Sequence, residues 1–422
     1  MSVYHNPFNS YPPRRTIRPG QPSLELGVVG ESGTLAPLIL ASLWDAHGHN
    51  RALTSILLTL ILLLVIPVFV LVKYLRITFN IISDTEPPLS MSQLCFDRMH
   101  GDDKDFYATD GVRLRGIFMH PPPGVERRGA IIFAPEFKSD RHSCARYCRH
   151  FIAAGYDVFS FDFRGHGNSA VQSGYTPRQW ASDREMADMK GAISYVEQWL
   201  EEMGRPLEIG LFGISRGGGT SILCSATCDS VKAIIVDGAF SSDATLEHFM
   251  KRFGKIFARV RIVYENHPPE FWQFLRWCLF LTCRFKFKCT FPSVKKGLLR
   301  MHPRPIFFIH GERDSYIPVE LSRMLYTLAA QPKYLWVVPG AKHNQSVDVV
   351  PRDYAHRTLE FFDRFLAGRD DPENMFNDDR FTQLAKTDMA PRRLPVDSLA
   401  ITSHADRTMS TPTTSADHVS SN

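Results

Sequence analysis

Cysteine is scarce, with eight in 422 residues. None forms a C-x-x-C pair and no two histidines stand at ligand spacing, which argues against a zinc site. So few thiols in so long a chain do not make a disulfide framework, so ordinary thiols in a reducing compartment are expected. A strong charge of one sign is lacking too. The 49 Lys and Arg against 44 Asp and Glu leave a net +5, too little at this length to point to nucleic acid. No G-K-[ST] follows a glycine-rich turn, so no phosphate loop, nucleotide, metal or other cofactor is expected. The first thirty residues lack the apolar core and small-residue cleavage site of a signal peptide. There are no internal repeats. At 44% hydrophobic and 22% charged, the chain as a whole is not disordered, collagenous or coiled coil.

Long hydrophobic runs are limited to one. From Leu53 to Val72 there are 20 consecutive uncharged residues, LTSILLTLILLLVIPVFVLV. At 1.5 Å rise per residue this spans about 30 Å, the thickness of a bilayer's hydrocarbon core. Arg51 precedes it and Lys73 and Arg76 follow, as charged stops. A single transmembrane helix over 53–72 is expected, with Pro67 tolerable within it. The basic residues outnumber on the C-terminal side, which places the remainder of the chain in the cytoplasm. Before the run, residues 1–50 read as a disordered Pro-rich arm, and after Asp370 a polar tail, 370–422, also reads as disordered.

Between these ends short apolar runs alternate with helical patterns. Strands are expected at Val112–His120, Ala130–Ala134, Asp157–Phe163, Leu207–Ile214, Lys232–Asp237, Ile306–His310 and Leu335–Val338. Helices are expected near 141–154, 183–203, 217–227 and 351–366. Repeated strand–helix units with fully apolar strands predict an α/β domain, a mostly parallel sheet covered by helices, over residues 105–368. Residues 241–303 interrupt the alternation. They hold 12 Lys and Arg, 4 Asp and Glu and 12 aromatics, and read as an inserted helical cap over the sheet's C-terminal edge.

Within this domain Gly213-Ile214-Ser215-Arg216-Gly217 is a G-x-S-x-G between an apolar strand and a small-residue helix. That context suits a nucleophile elbow, in which a strained turn lifts a serine from the sheet edge and flanking glycines avoid clashes. A serine hydroxyl needs a histidine base held by a carboxylate. His343, on the loop after the last strand, is the candidate base. Asp314, just after the IFFIH strand, is the candidate acid, with Asp237 its rival. The order Ser, Asp, His excludes the chymotrypsin and subtilisin orders. His166 reads as a structural loop residue. Cys144/Cys148 and Cys224/Cys228 read as buried small hydrophobes rather than metal ligands.

GISRGG, GERDSYIP, GAKHN and FDFRGHGNS (Phe161–Ser169) together resemble the α/β-hydrolase superfamily. The chain is most similar to serine aminopeptidase-type (S33) members and to membrane-anchored lipases and thioesterases. The resemblance implies Ser215, Asp314 and His343 as a catalytic triad, and an oxyanion hole from the N–H groups of Arg216 and Phe137. It implies an ester or thioester substrate of acyl or lipid-like type, with membrane lipids as neighbours. The alternatives are a peptidase, or a catalytically silent scaffold that binds a membrane partner. Where most members end the third strand in His-Gly, this chain has Pro135-Glu136, a departure at the oxyanion loop.

Overall fold

The structure, a computed structural model, describes residues 36–83, 98–257 and 268–377. The chain divides into two compact units, Met1–Val68 and Phe69–Asn422.

In the first unit the described residues form one helix, which begins at Ala36 and continues through the boundary to Ser83. Its stretch Arg51–Ser83 is long and apolar enough to cross a membrane. Residues 36–50, expected to belong to a disordered arm, are helical instead. Leu38, Leu40, Ala41 and Leu43 favour a helix, and Pro37 falls in the first turn, where its missing N–H costs nothing. The rest of the expected arm lies outside the described residues. Beyond Val72 the helix also outlasts the expected span, because Tyr74, Thr78 and Ile82, four residues apart, share one buried stripe.

The second unit is built on an eight-stranded sheet. Its strands are β1 (Asp102–Tyr107), β2 (Arg113–Met119), β3 (Gly129–Ala134), β4 (Tyr156–Phe161), β5 (Ile209–Ile214), β6 (Val231–Asp237), β7 (Ile306–Gly311) and β8 (Lys333–Val338). They lie in the order β1-β2-β4-β3-β5-β6-β7-β8. The first two pairings, β1 with β2 and β2 with β4, are antiparallel, and the remainder are parallel. Strands β4, β5 and β7 are buried at every position, which is why they read as largely apolar runs, the buried Asp157, Ser160 and His310 being hydrogen-bonded.

Successive side chains go to opposite faces. Ile132, Phe159, Leu211, Val236 and Phe308 meet helices 183–202 and 216–225 on one side. Ile131, Phe133, Phe212, Ile235 and Phe307 meet helices 144–154 and 351–365 on the other. Helix 183–202 starts on a capping box, in which Ser182 and Glu185 bond each other's backbone N–H. Between β6 and β7 the described residues form helices Ser242–Phe257, Pro269–Phe287 and Val294–Arg300. The order and polarity of the strands are those of the α/β-hydrolase fold.

Two boundaries differ from expectation. β1 lies ahead of the first expected strand. It is an edge strand, DDKDFY, in which Phe106 alone is buried, so it lacks an apolar pattern. At the other end, Met375 and Phe376, expected in the disordered tail, are buried against Phe307, Tyr334 and Phe361. Residues 378–422 lie outside the described residues.

Candidate active site

Ser215 occupies the turn between β5 and helix 216–225, with φ 52° and ψ −113°. A non-glycine residue held there stores strain that the surrounding packing must impose. The packing is tight: a Cβ on Gly217 would stand 2.2 Å from the carbonyl oxygen of Ala134. β3 pairs with β5 through Ala134 and Gly213, so the Pro135–Phe137 loop is brought beside the elbow. The Ser215 N–H donates to the Asp237 carbonyl at 2.7 Å, tying the elbow to β6.

The structure brings Ser215, His343 and Asp314 together. Ser215 Oγ lies 2.9 Å from His343 Nε2, and His343 Nδ1 lies 2.6 Å from Asp314 Oδ2. All three are buried. The carboxylate partner assigns the proton to Nδ1, which leaves Nε2 to accept from the serine hydroxyl. Asp314 Oδ1 accepts the backbone N–H groups of Tyr316 and Ile317 at 2.9 and 2.7 Å. The Tyr316 ring packs edge-on against the His343 imidazole, with centroids 5.2 Å apart.

A second histidine, not singled out from the sequence, stands behind the acid. His310 Nε2 lies 3.3 Å from Asp314 Oδ2 and donates to the Ile317 carbonyl at 2.8 Å. Its Nδ1 meets the Ser322 hydroxyl at 2.8 Å. Burial works to raise the Asp314 pKa, but hydrogen bonds from His310 and His343 outweigh it and hold the carboxyl well below the usual range. The available signal was the position of His310 at the end of β7, four residues before Asp314.

The rival acid, Asp237, is placed elsewhere. Its carboxylate accepts from the Tyr354 hydroxyl at 3.0 Å and the Ser346 hydroxyl at 3.3 Å. Burial pushes its pKa up to about 6, with the Tyr354 hydrogen bond partly offsetting. Against an unfolded value of about 3.9, ionising Asp237 costs the native state about 2–3 kcal/mol once the pH exceeds both values. Below pH ~4 the group is neutral in both states and the cost vanishes. Relative to wild type, Asp237→Asn is therefore expected to gain about 2–3 kcal/mol between pH 4 and pH 7. Urea unfolding at the two pH values measures it, and a difference that ignores pH rejects the assignment.

Around the expected oxyanion loop the side chains interlock. The Arg216 guanidinium is buried, donates to the Arg178 carbonyl at 3.0 Å, and lies 5.0 Å from the Phe137 ring and 4.9 Å from the Phe163 ring. His166 approaches Arg216 Nη2 at 3.5 Å and meets the Arg164 carbonyl through Nδ1 at 3.1 Å. Burial, then the Arg216 charge, lowers the His166 pKa to about 3. Glu136 is buried, and burial pushes its carboxyl upward. The seven described cysteines are free thiols, with Cys144, Cys148 and Cys224 buried and Cys228 partly so. Burial pushes the Cys144 thiol up to about 12, as suits an inert core residue.

The chain has the α/β-hydrolase fold. Within it, the family model described as serine aminopeptidase, S33, matches residues 125–269, a stretch that contains the elbow and stops short of Asp314 and His343. Similar curated proteins include YfhR of Escherichia coli (strain K12), an uncharacterized protein. It is 26% identical over 257 residues, covering 58% of this chain and 77% of that one. Another, YqkD of Bacillus subtilis (strain 168), also uncharacterized, is 26% identical over 222 residues, 52% of this chain and 66% of that one. Among solved structures, the esterase Pf2001 of Pyrococcus furiosus is 22% identical, with 67% of this chain and all of that chain covered and a TM-score of 0.46.

Proposed function

We propose that this protein is a membrane-anchored serine hydrolase that cleaves carboxylic esters or thioesters of acyl or lipid-like substrates. The observation that carries the reading is the continuous hydrogen-bonded line from Ser215 Oγ through His343 to Asp314. In this mechanism Ser215 Oγ attacks the acyl carbon while His343 Nε2 takes its proton. Asp314, kept ionised by its hydrogen-bond donors, holds the imidazole and stabilises the imidazolium. The tetrahedral oxyanion is received by the Arg216 and Phe137 N–H groups, the former at a helix N-terminus. His343 then protonates the leaving alcohol or thiol, and water attacks the acyl-enzyme by the same route. Burial raises the pKa of the Glu136 carboxyl, a shift toward the neutral form that lessens the conflict with a developing oxyanion.

Anchoring is supported by the helix Arg51–Ser83, whose length and hydropathy suit a span, and by Leu53–Phe69 side chains that stand exposed. The cytoplasmic side is assigned to the catalytic unit on the basic flank Lys73 and Arg76.

Labelling with a fluorophosphonate probe tests the reading. Wild type is expected to label covalently, and Ser215→Ala to lose the label. Equal labelling of the two would falsify the serine-hydrolase assignment. The match to serine aminopeptidases favours a second reading, release of N-terminal residues from peptides. Aminoacyl nitroanilides tested beside p-nitrophenyl acyl esters separate the two. Turnover of neither by folded, unlabelled protein would leave the silent scaffold.

A further inference from the structure

Helix 269–287 carries two apolar stripes. Trp272, Leu275, Leu279, Cys283 and Phe287 are buried in the cap cluster. Phe274, Trp277, Leu281 and Phe285 are exposed, by 50%, 60%, 39% and 74%. At 3.6 residues per turn the second set forms one continuous line on the side of the helix opposite the first. A single exposed leucine needs no explanation, but four large side chains in line mark an interaction surface.

Its surroundings indicate what it meets. The buried side of this helix packs on the continuation of the apolar N-terminal helix. Tyr74 lies edge-on to Phe271 and Trp272, at 6.4 and 6.3 Å, and Phe79 stacks on Phe287 at 5.2 Å. Tyr74 follows the uncharged run by two residues, so its contact with this helix falls about 3 Å past the end of the run, at headgroup level. Arg284, Lys286 and Lys288 are exposed at the C-terminal end of the second helix, and each contributes about 1 kcal/mol near an anionic leaflet.

We infer that the stripe Phe274, Trp277, Leu281 and Phe285 rests in the headgroup region of an anionic bilayer, making the cap a second membrane contact beside the spanning helix. This rests on the anchoring part of the proposed function and is independent of the chemistry at Ser215.

The test uses the full chain, reconstituted in phosphatidylcholine–phosphatidylserine vesicles whose phosphatidylcholine carries bromine high on the acyl chain. Emission lost in Trp277→Phe isolates the signal of Trp277, since the other tryptophans are common to both proteins. That signal is expected to be quenched by bromine about twofold or more, and protected from aqueous iodide. Lys286→Glu with Lys288→Glu is expected to weaken the bromine quenching, as is high salt. A Trp277 signal quenched by iodide and untouched by bromine, in protein that resists carbonate extraction, overturns this inference alone. Protein stripped from the vesicles by carbonate overturns the anchoring reading and this inference with it. Quenching that ignores both lipid charge and the two glutamates overturns the anionic preference. None of these readouts requires turnover, so loss of hydrolysis leaves the result unaffected.

Discussion

Ser215→Ala is expected to lower kcat on a short-chain p-nitrophenyl ester by about 10⁴–10⁶-fold, His343→Ala by a similar factor, and the double variant no further. The non-additivity follows from the geometry. In the proposed mechanism Ser215 Oγ is a nucleophile only while His343 Nε2 can take its proton across 2.9 Å, and the histidine has no other acceptor role once the serine is gone. Either loss removes the same unit. Asp314→Ala is expected to cost less, about 10⁴-fold, because it orients and stabilises the histidine without touching the substrate. KM should change little, since none of the three is asked to bind the ground state. Steady-state kinetics on protein shown by circular dichroism to be folded gives the comparison. Losses that multiply, or a His343→Ala variant that retains most of the activity, would reject a concerted triad.

The parts of this chain that are legible in its sequence are those where burial and function act on short, regular patterns. β4, β5 and β7 announce themselves because both faces are covered, so most of their positions are apolar. Ser215 and Asp314 stand out because each follows such a strand within a few residues, and His343 because it follows β8, the last strand, by five residues. β1 is illegible for the opposite reason. It is held by backbone pairing to β2 and by one buried ring, Phe106, and such an edge leaves charged residues in place. Met375 and Phe376 pack without any periodicity, because they belong to no element. The role of His310 depends on a fold-back of the chain, through Ile317 and Ser322, that spacing alone does not reveal. In the cap, composition indicated an aromatic and basic helix, but the partition of its aromatics between a buried and an exposed stripe emerges only with the packing of Tyr74 and Phe79.

The FDFRGHGNS segment carries the largest expected effect on stability. Arg164 is fully buried and bonds Asp188 through Nε and Nη2, at 2.8 and 2.6 Å. It also bonds Asp110 through Nη1 and Nη2, at 2.8 and 2.7 Å, and Gln172 at 2.7 Å. One guanidinium thus joins the β1–β2 turn, the loop after β4 and helix 183–202. Removing it leaves Asp188, which has no exposed surface, without its charged partner, the backbone N–H of residue 164 at 2.9 Å alone remaining from this loop. Arg164→Leu is therefore expected to destabilise the domain by about 3–5 kcal/mol, measured by urea unfolding. Arg164→Lys should rescue little, because an ammonium cannot serve two carboxylates with a planar fork. Arg164→Leu combined with Asp188→Leu should recover part of the loss, since two apolar residues leave no stranded charge at that contact. A double variant no more stable than Arg164→Leu would mean that the guanidinium acts through its bonds to Asp110 and Gln172, with the buried pair contributing little of its own.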